Sequence, residues 1–189
     1  MKILILLFFT LLPLQAQTGE KLVASARKQI GITVHYDPAY TTLSYPGGDV
    51  PADRGVCTDV VIRSMRDGLS KDLQQLLHED MRANFAVYPR KWGLTRPDKN
   101  IDHRRVPNLQ TWFKRQGYQL PLKNPLDMTQ ILAGDIVTCT VPPNLPHVMI
   151  VSNRKNHEGV PLVIHNIGKG TREEDRLLEY PLTGHYRVK

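Results

Sequence analysis

The hydrophobic pattern of this chain changes period at Gly134. Ahead of it, apolar residues recur every three or four positions: Leu22, Ala26 and Ile30, then Val60, Val61 and Met65, then Leu73, Leu76, Leu77 and Met81, then Leu109, Trp112 and Phe113. Behind it they alternate or run together in short blocks, at 135–141, 147–152 and 161–165. The first spacing is that of an amphipathic helix and the second that of a buried strand. Helices first and strands second point to α+β rather than alternating α/β, with the helices packed on an antiparallel sheet. A turn rich in Asn153, Asn156 and Gly159 joins the last two strands, and 186–188 is expected to add a fourth.

The helix boundaries carry their own signals. Thr18 is a suitable N-cap for a first helix over 20–30, with Gly31 as its stop. A Pro- and Gly-rich stretch follows, read as a long ordered loop with a short strand at 32–36. A second helix is expected to start at or just before Cys57 and to end at Gly68; Ser70 is the expected N-cap of a third. Pro107 suits the first turn of a fourth helix that stops at Gly117.

The first sixteen residues read as a secretory signal peptide and not as part of the fold. Lys2 is the positive end, 3–12 form an apolar run broken only by Thr10, and Leu14-Gln15-Ala16 is an acceptable cleavage site. The run is too short for a bilayer, which takes ~20 residues. Residues 17–189 then form a single domain outside the cytoplasm, expected in a periplasm, with no integral membrane segment after cleavage. Removing Lys2 lowers the net charge from +7 to about +6, a charge that suits either attraction to anionic wall polymers or membrane surfaces or solubility alone. The basic residues are dispersed and no aromatic-basic motif accompanies them, which argues against nucleic acid. A monomer is expected.

Two cysteines remain in an oxidising compartment, where a disulfide is the default. The local sequences argue otherwise. Cys57, in Arg54-Gly-Val-Cys-Thr-Asp, stands at the first turn of a helix, where unpaired N–H groups and the helix dipole favour a thiolate and can hold an oxyanion. Cys139, between Thr138 and Thr140, reads as a buried free thiol in a strand. A nucleophilic thiol needs a base. Of seven histidines, His147 and His165 alone lie in strand patterns, and adjacent antiparallel strands can bring them together, one taking the proton of Cys57 and the other orienting its partner. Asp59 is expected to meet nearby backbone or Arg63. His35, Tyr36 and Asp37 lie on the loop ahead of the nucleophile, as a wall of a cleft or as plain loop residues. Asp102, His103, Arg104 and Arg105 are candidates for a substrate carboxylate, because Arg forks bind carboxylates in pairs of hydrogen bonds, or else a solvated basic turn capping the fourth helix.

These segments, GVCTDVVIRSMRDG, LLHEDM, NIDHRRVPNL, GDIVTCTVP and PLVIHNIGKGTREEDRL, cover most of 53–177. In order and texture the chain resembles the NlpC-type cell-wall peptidases, compact relatives of the papain-like cysteine peptidases. It is similar above all to an exported bacterial family of unknown function placed among them. The resemblance implies a papain-like α+β fold, a peptidase or amidase activity on cell-wall peptide or a similar amide, and no cofactor. It implies Cys57 as nucleophile, His147 as general base and His165 as the orienting residue. The connection between the His147 and His165 strands is longer than in compact NlpC domains, so Asn166 stays open as a substitute for His165. Three other readings stand beside this one. Zn²⁺ could be held by His147, His165, Asp135 and Cys57. The chain could be an exported binding module that kept a peptidase fold. The thiol could serve acyl transfer or deamidation.

Overall fold

The computed structural model describes residues 14–123 and 125–189. In chain order the elements are α1 (Leu14–Lys28), β1 (His35–Tyr36), β2 (Arg54–Gly55), α2 (Cys57–Leu69), α3 (Leu73–Asn84), α4 (Val106–Arg115), β3 (Gln119–Leu120), β4 (Ile136–Val141), β5 (Leu145–Lys155), β6 (Pro161–Asn166), β7 (Thr171–Glu174) and β8 (Leu182–Tyr186). Of the expected signal peptide, 1–13 lie outside the described residues, and the cleavage point after Ala16 falls in the first turn of α1. Among the described residues no helix is long and apolar enough to cross a membrane.

The α+β expectation holds. β1 and β2 form a small parallel pair, and the main sheet is six-stranded in the order β3-β8-β4-β5-β6-β7, with every neighbouring pair antiparallel. Alternation along the strands sorts the core into two faces. Ile136, Val148, Ile150, Ile164 and Tyr186 join the helix residues Leu22, Val60, Val61, Met65, Leu77 and Phe113. Val137, Cys139, Met149, Val151 and Val163 join Ile131 and Leu177 in a second cluster. The helices thus cover one face and the loops around Ile131 and Leu177 the other. α2 packs on α1, β5 and β6, which fixes its first residue against the sheet.

Several boundaries depart from the sequence reading. α1 begins at Leu14 and ends at Lys28, where turns to Ile32 and Thr33 take over. The expected strand at 32–36 shortens to β1. Gly68 does not end α2. A side chain there would meet the Lys21 carbonyl at 2.8 Å, so its glycine serves the close approach of α1. The helix stops two residues on, where Ser70 adopts φ 55° and its N–H and that of Lys71 bond to the carbonyls of Arg66 and Met65. Ser70 is therefore a C-cap, and Asp72 is the N-cap of α3, its Oδ1 accepting from Gln74 N at 3.0 Å. The fourth expected strand ends at Tyr186 instead of beginning there, and β3 and β7 are additions.

Candidate active site

Cys57 is the first residue of α2, after Val56 in extended conformation. The turn is built by Asp59, whose Oδ2 accepts the Val56 N–H at 2.6 Å. Gly55 is needed beside it: an added Cβ would stand 2.9 Å from that of Asp59. Arg104 closes on the same carboxylate through Nε (3.0 Å) and Nη2 (2.9 Å), and its remaining donors go to the carbonyls of Asp37 and Ala39, each at 3.1 Å. Thr58 Oγ1 donates back to the Arg104 carbonyl at 3.1 Å. One guanidinium thus ties the loop ahead of the nucleophile to the helix that carries it. The expected Asp59–Arg63 pair is not made. Arg63 turns to Asp49 at 2.9 Å and to three loop carbonyls.

The backbone N–H groups of Val148 and Thr58 lie near enough to the Cys57 sulfur to favour its charged form. The thiol therefore lies against the peptide that directly follows His147. Burial pushes the thiol up to about 12, outweighing both N–H groups, so the helix start does not produce the depressed pKa expected of it. Cys139 is a buried free thiol as expected, in the second core cluster, and Cys57 is likewise free.

His147 and His165 do meet. His147 Nε2 is 2.8 Å from His165 Nδ1, with the rings edge-on at 72°. Burial drives His147 down to about 3, helped by the charge His165 would carry. It also lowers His165, against the hydrogen bond to Glu174. That bond, His165 Nε2 to Glu174 Oε2 at 3.1 Å, continues the chain to a residue the sequence did not single out. Asn166, the alternative to His165, bonds elsewhere. Its amide donates to the carbonyls of Gly55 (3.0 Å) and His35 (3.3 Å) and accepts from Gly168 N, fastening β6 to the loops ahead of Cys57.

A cleft of about 420 Å³ opens over Cys57, walled by Tyr36, Trp92, Arg105, Asn144 and Pro146. Tyr36 is pushed up to about 12 by burial and then by the neighbouring Cys57 and Asp59. Arg105 lies 4.1 Å over the Trp92 ring and holds Asp102 Oδ1 through Nη1 at 2.9 Å, and with Lys91 it gives the wall positive charge with donors to spare. The other members of the predicted carboxylate site have structural duties. Arg104 lines the cleft but is spent on Asp59. Asp102 is buried, accepts from Asp98 N at 2.5 Å, and is raised by that burial. His103 is buried outside the cleft and is lowered to about 3 by burial and then by Arg104. Trp92 is not legible in the sequence, because a lone aromatic between Pro89 and Pro97 has no periodicity to read.

The zinc reading does not fit the donors. Asp135 is committed to His185 Nε2 at 2.6 Å and to Arg187 at 2.7 and 2.8 Å, and these bonds outweigh burial to keep its carboxyl low. Among the described residues no three His, Cys, Asp or Glu side chains converge on a metal position.

A family model described as "Domain of unknown function (DUF1287)" matches residues 23–188. "Uncharacterized protein YijF" of Escherichia coli (strain K12) is 55% identical over 179 residues, 94% of this chain and 85% of that one. Among solved structures, an N-acetylmuramoyl-L-alanine amidase from Bacteroides uniformis superposes with TM-score 0.53 at 13% identity, covering 92% of this chain and 100% of that one. NlpC1 from Trichomonas vaginalis gives TM-score 0.47 at 14% identity over 90% of this chain, which spans only 45% of that longer protein. The amidase likeness shows a shared fold.

Proposed function

The chain belongs to the DUF1287 family, and from that premise we propose that it is an exported cysteine peptidase or amidase acting on an amide of cell-wall peptide. The observation that carries the reading is the position of Cys57: its sulfur sits at the head of α2, in the cleft wall, against the peptide that follows His147. Burial holds both the Cys57 thiol and the His147 imidazole neutral, which calls for general-base attack rather than a standing ion pair. His147 takes the thiol proton as sulfur bonds to the amide carbonyl. The C–N bond breaks, and the same proton passes to the leaving amine. Water, deprotonated by His147, then cleaves the thioester and restores the thiol. His165 holds the His147 ring, and backbone N–H groups at the start of α2 face the developing oxyanion.

The amidase likeness, the charged wall at Arg105 and the net charge of about +6 once Lys2 is removed support an anionic wall peptide as substrate. The signal-like 1–16 segment supports export to the periplasm. The test is to incubate protein 17–189 with purified peptidoglycan and identify soluble products by mass spectrometry. A new amine end that appears with wild type and not with Cys57→Ala supports the reading. The same products from both proteins, or none from either across sacculi and muropeptides, overturn it.

A further inference from the structure

We propose that Glu174 is a positioning residue that fixes which nitrogen of His147 is basic. Two neutral imidazoles sharing one hydrogen bond have two arrangements of nearly equal standing. In one, His147 donates from Nε2 and keeps a lone pair on Nδ1. In the other, His165 donates from Nδ1, and His147 is left with a proton on Nδ1 and its only lone pair turned toward His165. In the second arrangement His147 has no free nitrogen with which to take a proton.

Nothing in the two rings alone selects between them. Glu174 does. Its Oε2 stands 3.1 Å from His165 Nε2, and a carboxylate can only accept, so the proton of neutral His165 belongs on Nε2. His165 Nδ1 then has a lone pair, and the 2.8 Å contact requires His147 to donate from Nε2. The lone pair of His147 is thereby placed on Nδ1, the nitrogen not engaged by His165. The same Glu174 oxygen also forms an ion pair with Arg176, whose Nε is 3.2 Å away, which holds the carboxylate in place. Arg172, opposite His165 in the β6–β7 ladder, approaches the other oxygen at 4.0 Å. Glu174 occurs in a short charged strand, Thr-Arg-Glu-Glu, and reaches His165 because the two lie on one face of adjacent antiparallel strands.

This inference rests on His147 as the base, but its test does not depend on turnover. Long-range ¹H–¹⁵N NMR of the wild-type protein at neutral pH is expected to show both rings protonated on Nε2. Glu174→Gln is the conservative variant: the position between His165 Nε2 and Arg176 Nε favours its carbonyl oxygen, so the tautomers persist. Glu174→Ala is expected to give mixed tautomers at both rings. On a cleaved wall peptide, Glu174→Ala is expected to lower kcat by about 10²-fold and Glu174→Gln by less than about 5-fold, from the usual worth of a correctly placed general base. Tautomers unchanged in Glu174→Ala, or a wild-type His165 protonated on Nδ1, overturn the proposal whatever the activity. A tautomer shift in a protein that cleaves no amide leaves Glu174 as assigned and removes the hydrolase reading instead.

Discussion

His147 Nε2 and His165 Nδ1 stand 2.8 Å apart, and a single proton serves both nitrogens. The pair is buried, with each residue 4% exposed or less. In the proposed mechanism, proton transfer therefore belongs to the moment of attack and not to the resting protein. His147→Ala is expected to lower kcat by about 10²- to 10⁴-fold, the range for loss of a general base. His165→Ala should cost less, because the base itself remains. Steady-state rates on a cleaved peptide check the order, and a His147→Ala enzyme within a few-fold of wild type contradicts it.

Cys57 should behave as a masked thiol. Burial raises it to about 12, so the thiolate fraction increases with pH through and beyond the ordinary thiol range. Alkylation by iodoacetamide, read by peptide mapping to separate Cys57 from Cys139, is expected to be slow at pH 6 and to climb without levelling through pH 9. A plateau between pH 4 and 6 would mean a preformed thiolate–imidazolium pair.

Acid stability follows from the buried histidines. His103 and His147 are both held near 3, below the ordinary value of about 6.5. Between those values the unfolded chain binds more protons than the folded one. Their contribution is therefore fully present above pH 6.5 and is lost as pH falls toward 3. At pH 5 each costs about 2 kcal/mol relative to pH 7. Asp102, raised by burial, works in the opposite direction. Urea midpoints at pH 7 and pH 5 should differ accordingly, and His103→Leu should shrink that difference. An unchanged difference in the variant would show that His103 is not the acid-sensitive group.

Arg104 and Arg105 adjoin in sequence and separate in role. Arg104→Leu leaves Asp59 buried without its partner, and breaking such a pair costs about 3–5 kcal/mol. Arg105→Leu gives up a bond to Asp102 and the Trp92 contact at the cleft wall, so the protein should fold and bind substrate less well. Denaturation curves and KM separate them. A stable Arg104→Leu protein with raised KM would reverse the assignment.

The parts that were legible in the sequence are those encoded locally. Cys57 at a helix start, and His147 and His165 in apolar strands, each announce themselves within a few neighbours. Pairings across the chain do not. Arg104 finds Asp59 over a separation of 45 residues, and a basic turn reads the same whether its arginine is free or buried. Asn166 and His165 are adjacent, and strand alternation puts one toward the loops ahead of α2 and the other toward His147. Glu174 lies in a strand too short and too charged to show alternation. The raised thiol is hidden for a different reason: the dipole of α2 is visible in sequence, whereas the burial that overrides it is not.

The most direct measurement is the site of the covalent intermediate. Protein 17–189 mixed with muropeptides and quenched in acid should yield a Cys57-containing peptide heavier by the acyl fragment and cleaved by hydroxylamine, absent in Cys57→Ala. Amide cleavage that persists in Cys57→Ala, with no acyl group on Cys57 in the wild type, would contradict the account.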